Sequence, residues 1–108
     1  MEERFTVRRR KTKNYRVVYA LNDRKFKNEL WAFNVKTRAE QAALLLNDRV
    51  DMKMSDAIIY ISPSALFAYN LDEGVSYIDG SYDECVRQIN QWEAKRRRDQ
   101  PILEVTMF

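Results

Sequence analysis

Apolar and polar residues alternate clearly over residues 14–21, where Tyr15, Val17, Tyr19 and Leu21 fall on one side of an extended chain. A weaker alternation over 5–10 sets Phe5 and Val7 against Thr6, Arg8 and Arg10, as expected of an edge strand. A third alternating run, 28–35, places Trp31, Phe33 and Val35 together. Asn22-Asp23-Arg24 supplies turn chemistry between the second and third runs, so the three read as an antiparallel meander. The period then changes. Ala39, Ala42, Ala43, Leu46 and Val50 repeat as one helical stripe, which should end near 47–51. Thr37 with Glu40 has the spacing of a capping box at its start.

The second half opens with Ala-Ile-Ile-Tyr-Ile-Ser at 57–62, an apolar run dense in β-branched residues that suits a strand buried on both faces. Ser62-Pro63 resembles a cap followed by proline at the first helical position, which predicts a short helix over 64–69. Residues 75–79 read as a short strand. Ser81 with Glu84 is a second capping box, ahead of a stripe at Tyr82, Cys85, Val86, Ile89 and Trp92. Beyond Glu93 that helix has no apolar partner and is expected to project into water until Pro101 stops it. Residues 102–107 read as a last strand, at an edge or closing the sheet beside the first. The expected fold is α+β and two-layered. It has a mixed, mostly antiparallel sheet with two main helices on one face, in the order β-β-β-α-β-(short α)-β-α-β. No internal repeat is visible, and 108 residues suit a single domain, 1–108.

Charge changes this picture more than composition does. Residues 1–54 carry a net +7, residues 55–93 a net −6 with Arg87 their one cation, and residues 94–108 a net +2. Arg8, Arg9, Arg10, Lys11, Lys13 and Arg16 put six cations on one hairpin, where each phosphate contacted would release counterions. Arg24, Lys25 and Lys27, in the second turn, are candidates to extend that surface. Lys95 with Arg96, Arg97 and Arg98 exceeds what complementing a helix dipole requires, and offers a second phosphate contact. In the acidic middle, Tyr69, Asp72, Tyr77 and Asp79 are the candidates for contact with a protein. Trp31 and Phe33 could stack bases, but the same spacing builds an ordinary core, the better expectation.

Chemistry is largely excluded. There is no histidine, which removes the commonest general base and metal ligand, and Cys85 is the one cysteine, on an apolar helical stripe. No phosphate-binding glycine motif occurs. Neither an enzyme nor a metal site nor a cofactor is expected. The N-terminus lacks the apolar stretch of a signal peptide, and no run reaches the length of a membrane helix, so a cytoplasmic protein without membrane contact is expected.

Tyr15-x-Val17-x-Tyr19, then Trp31, then Phe33-x-x-x-Thr37-Arg38-x-Glu40-x-Ala42 with Leu46 resembles the arm-binding N-terminal domain of phage and transposon integrases. The resemblance covers residues 15–47. It implies three strands and a helix, a sheet laid into the DNA major groove with Arg8, Arg10 and Arg16 on the contacting face, and a phage or mobile-element origin. The glycines usual in that family's second turn are replaced here by Asp23-Arg24-Lys25, and the family lacks a second half like 55–108.

The expected function is a small non-enzymatic binding module that contacts the phosphate backbone of DNA or RNA through its basic hairpin. The alternative is a phage-type inhibitor or adaptor gripping an acidic surface on a host protein that handles nucleic acid. A homo-oligomer joining basic and acidic segments is a third possibility.

Overall fold

Eight elements follow one another in a computed structural model that describes residues 3–62 and 64–99, the last three as helix backbone. They are β1 (Phe5–Lys11), β2 (Val17–Asp23), β3 (Asn28–Phe33), α1 (Lys36–Asp51), β4 (Asp56–Ser62), β5 (Ala65–Asn70), β6 (Val75–Asp79) and α2 (Tyr82–Asp99). The fold is α+β, with two antiparallel sheets of three strands each, β1-β2-β3 and β4-β5-β6, rather than one mixed sheet. Each sheet is followed by a helix, so the order β-β-β-α occurs twice, a repetition at the level of elements that the sequence pattern does not display.

The first sheet turns Phe5, Leu21 and Phe33 onto Ala39, Ala42, Ala43 and Leu46 of α1, as the two periods predict. The small alanines let the helix lie close to the strands. α1 is not capped by Thr37: the cap position falls two residues earlier, at Val35, which makes no side-chain bond to the free amides. At its other end Lys53, at φ +57°, closes a Schellman turn through Met54 N–H to Arg49 O and Lys53 N–H to Val50 O.

The second sheet is buried on both sides. Ala57, Ile59, Ile61, Phe67 and Tyr69 join the core shared with the first sheet and α1, while Leu66 and Ala68 face Cys85, Ile89 and Trp92 with Ile58. Residues 65–70 are therefore a strand and not the expected short helix. As the central strand of a sheet covered on both faces, β5 is apolar at every position but the last, which removes the alternation that marks a strand. Burying side chains as large as Phe5, Phe67 and Tyr69 stabilises the fold by about 1.5–3 kcal/mol each.

α2 starts as its capping box predicts, with Glu84 N–H donating to Ser81 Oγ. Its last turns do not simply project into water, because Arg96 folds back onto Asp56 with contacts of 2.6 and 3.3 Å. No helix among the described residues is long and apolar enough to cross a membrane. The strand expected at 102–107 lies outside the described residues.

Candidate nucleic-acid interface

Between Arg4 and Asp23 the chain carries no acid, so the β1–β2 hairpin concentrates one sign of charge. Register fixes where the cations stand. Phe5, Val7, Arg9 and Lys11 pair with Asp23, Leu21, Tyr19 and Val17 on the face that carries the core, and Arg8 and Arg10 pair with Ala20 and Val18 on the other. Only Phe5 and Val7 reach the core; from Arg8 onward β1 is exposed. The outer half of β1 therefore carries cations on both of its faces, while β2 beside it stays packed as far as Val18, 4% exposed.

The loop that closes it is tight. Thr12 N–H donates to Arg16 O at 2.8 Å, Tyr15 N–H to Thr12 O at 3.0 Å, and Arg16 N–H to Thr12 Oγ1 at 3.2 Å. Tyr15 occupies the left-handed region at φ +61° and is 84% exposed. It is not on the core face of β2, where alternation alone would place it, because β2 begins only at Val17. A bulky residue held at positive φ costs about 1–2 kcal/mol, and this one is not repaid by packing. The loop thus presents an aromatic ring at its apex between Lys13 and Arg16.

Of the six hairpin cations, Arg10 is engaged. Its Nε and Nη2 donate to the two carboxylate oxygens of Glu29 at 2.8 Å each, a fork that reaches across β2 to β3. The hydrogen bond from Arg10 is the main reason that the Glu29 carboxyl stays below the usual range. Arg8, Arg9, Lys11, Lys13 and Arg16 are exposed and have no ion pair among the described residues.

The other candidates do not join them. Arg24, Lys25 and Lys27 lie in the β2–β3 turn, at the opposite end of the sheet from Tyr15, because successive turns of a meander alternate ends. Arg96 is committed to Asp56, its hydrogen bond to that carboxylate being the main reason its guanidinium is held more firmly protonated. The side chains of Arg97 and Arg98 lie outside the described residues. α2 packs on the second sheet, whereas the hairpin is part of the first.

The proposed protein-contacting set also separates. Tyr69 is fully buried and cannot touch a partner. Asp72 is exposed in the β5–β6 turn, whereas Asp79 ends β6 and accepts from Ser81 N–H at 2.8 Å. Tyr77 is half-buried on the side of β6 facing α2. Phe33 belongs to the core, and Trp31 packs against it half-buried. Cys85 is fully buried, and burial pushes its thiol pKa up, which leaves it a weak nucleophile. No group of three or more metal-ligating side chains occurs among the described residues.

Tyr69 instead completes a buried cluster that sequence spacing does not reveal. Its hydroxyl donates to Asp23 Oδ2, and Arg4 grips the same carboxylate through Nε and Nη2 at 2.9 Å each. Arg4 Nη2 also donates to Leu71 O at 2.7 Å, and Lys25 N–H donates to Asp23 Oδ1 at 2.9 Å. Burial alone would raise the Asp23 carboxyl, but the bonds from Arg4, Tyr69 and Lys25 outweigh it and hold the group below the usual carboxylate range. Burial and the hydrogen bond to Asp23 both push the Tyr69 hydroxyl well above its ordinary value. The members partner one another, and together they tie the β2–β3 turn region to the second sheet. This is an assembly that holds the fold together.

No family model, no curated protein and no solved structure matches this chain.

Proposed function

We propose that the chain is a small non-enzymatic module that binds nucleic acid through its β1–β2 hairpin. The observation that carries this reading is the outer half of the hairpin, with five exposed cations that have no ion pair among the described residues, on both faces and in the loop, around a strained, exposed Tyr15. A major groove about 12 Å wide admits a two-stranded ribbon, and a ribbon inserted there meets phosphates on either side. Cations on both faces suit that position better than they suit a flat surface. Arg8, Arg9, Lys11, Lys13 and Arg16 would neutralise phosphate, and Tyr15 would stack on a base or press against the groove floor. The element order β1-β2-β3-α1 is also the one that the resemblance to integrase arm-binding domains implies.

Replacing Lys11, Lys13 and Arg16 by alanine tests this. Labelled duplex DNA, duplex RNA and single strands should each bind the parent, and the triple variant should bind them at least tenfold more weakly while its thermal unfolding is unchanged. Equal binding by parent and variant would remove the hairpin from the interface. A second reading, contact with a partner protein, draws on a different surface, the open edge of β4.

A further inference from the structure

We propose that the cleft between α1 and α2 receives an extended strand of a partner protein, with apolar and acidic side chains in alternation, added to the free edge of β4. The cleft has a volume of about 900 Å3 and runs along β4 from Ser55 to Ser62, with α1 as one wall and α2 as the other. Among the described residues β4 is an outer strand of its sheet, bonded to β5 on one side.

The register says which backbone groups are available. Leu71 N–H donates to Ser55 O, so the residues that turn their amides and carbonyls toward β5 are Ser55, Ala57 and Ile59. Asp56, Ile58 and Tyr60 point theirs outward into the cleft, and at Ile58 and Tyr60 those groups have no hydrogen-bond partner among the described residues. The far edge of the same sheet and the hairpin edge of the first sheet are defended. β1 carries Arg8 to Lys11, and β6 is only five residues long. β4 is seven residues long, apolar from Ala57 to Ile61, and carries Tyr60 at 67% exposure. An undefended edge in a cleft is the arrangement that strand addition uses.

The walls specify the side chains of the incoming strand. Side chains of an added strand alternate between the two walls. The α2 wall offers Tyr82, Val86 and Ile89, which is apolar. The α1 wall offers Arg38 and Arg49 on either side of Gln41, Ala42 and Leu45, with Lys53 beyond the helix end. Arg38 and Lys53 have no ion pair among the described residues, and Arg49 meets only the Met54 sulfur, at 3.3 Å. The acids of the cleft are already engaged, Asp56 by Arg96 at 2.6 Å and Glu93 by the same guanidinium at 4.0 Å. The surplus charge is positive and confined to one wall, so the occupant turns acidic side chains toward Arg38, Arg49 and Lys53 and apolar ones toward α2.

The test uses the full chain, labelled with 15N, and a capped peptide of sequence Val-Glu-Val-Asp-Val-Glu-Val. Saturable binding is expected, with the largest amide shifts at Ile58 and Tyr60 and in the facing turns of α1. Methylating alternate peptide nitrogens should weaken it at least tenfold, and so should the surface pair Arg38→Glu with Arg49→Glu, checked for unchanged unfolding. Absence of shifts at ~1 mM peptide, the weak end of specific affinity, would overturn the proposal. Equal binding of a peptide with Lys in place of the acids would also overturn it. Amide exchange of the free chain separates the other occupants. Slow exchange at Ile58 and Tyr60 at all concentrations would mean that residues 101–108 of the same chain fill the cleft. Slow exchange only in concentrated solution would mean that a second copy does, and either result contradicts a partner strand.

Discussion

Replacing Asp23 by asparagine should cost about 3 kcal/mol of stability. The side chain is fully buried and accepts four hydrogen bonds, two from Arg4, one from Tyr69 and one from the Lys25 amide. Asparagine keeps the shape and one acceptor but removes the charge. It presents an NH2 group to donors and leaves the Arg4 guanidinium, 15% exposed, without its counter-ion. Removing one partner of a buried ion pair costs about 3–5 kcal/mol, and the retained acceptor argues for the lower figure. For a domain of this size that corresponds to a fall of about 12–24 °C in Tm. Tyr69→Phe removes one of the four donors and should cost about 1.5 kcal/mol. The pH dependence supplies a second reading of the same bond. The Asp23 carboxyl is held below its unfolded value of ~3.9, so its contribution is fully present above that pH and is lost as pH falls through the lower folded value. Urea unfolding followed by circular dichroism from pH 7 to pH 3 should show parent and Asp23→Asn stabilities converging toward the acid end. Unfolding free energies within ~0.5 kcal/mol at pH 7, or curves that stay parallel into acid, would refute the view that this cluster holds the two sheets together.

Other substitutions separate local strain from function. Tyr15→Gly should relieve the left-handed strain and stabilise the fold by about 0.5–1 kcal/mol after the entropy of glycine is subtracted, while single-strand binding weakens by about 1–3 kcal/mol; thermal unfolding and binding titrations then move in opposite directions. Gly74→Ala should destabilise by about 1–3 kcal/mol, since Gly74 sits at φ +71° and a methyl group there would meet the Phe26 ring at 2.4 Å, and thermal unfolding measures it. Cys85 should react with a thiol reagent only at the rate at which the protein opens, and rapid labelling under native conditions would contradict its burial.

Much of the fold was legible because most elements have one wet face. The stripe Ala39, Ala42, Ala43 and Leu46 and the alternation through Tyr19 and Leu21 both report a solvent side, and so the helices and the first sheet follow from pattern. β5 was not legible, because Leu66, Phe67, Ala68 and Tyr69 are buried whichever way they point, and Ser62-Pro63 imitates a helix start. The cations of the hairpin were visible at once. That Arg10 is engaged was not, since its partner Glu29 lies two strands away, and neither was Arg96 reaching Asp56 across 40 positions. Tyr15 left no signal in the pattern, because a turn residue at positive φ can sit in register with the alternation of the strand that follows.

The salt dependence of duplex binding tests the central claim most directly. The five cations without an ion pair among the described residues, Arg8, Arg9, Lys11, Lys13 and Arg16, predict a slope of about −4.5 for log affinity against log salt on B-DNA. Glu29→Gln, which frees Arg10, should steepen it to about −5.4 and tighten binding at low salt. No duplex binding at ~50 mM salt, or a slope that Glu29→Gln and the hairpin alanine variants leave unchanged, would contradict a nucleic-acid interface on this hairpin.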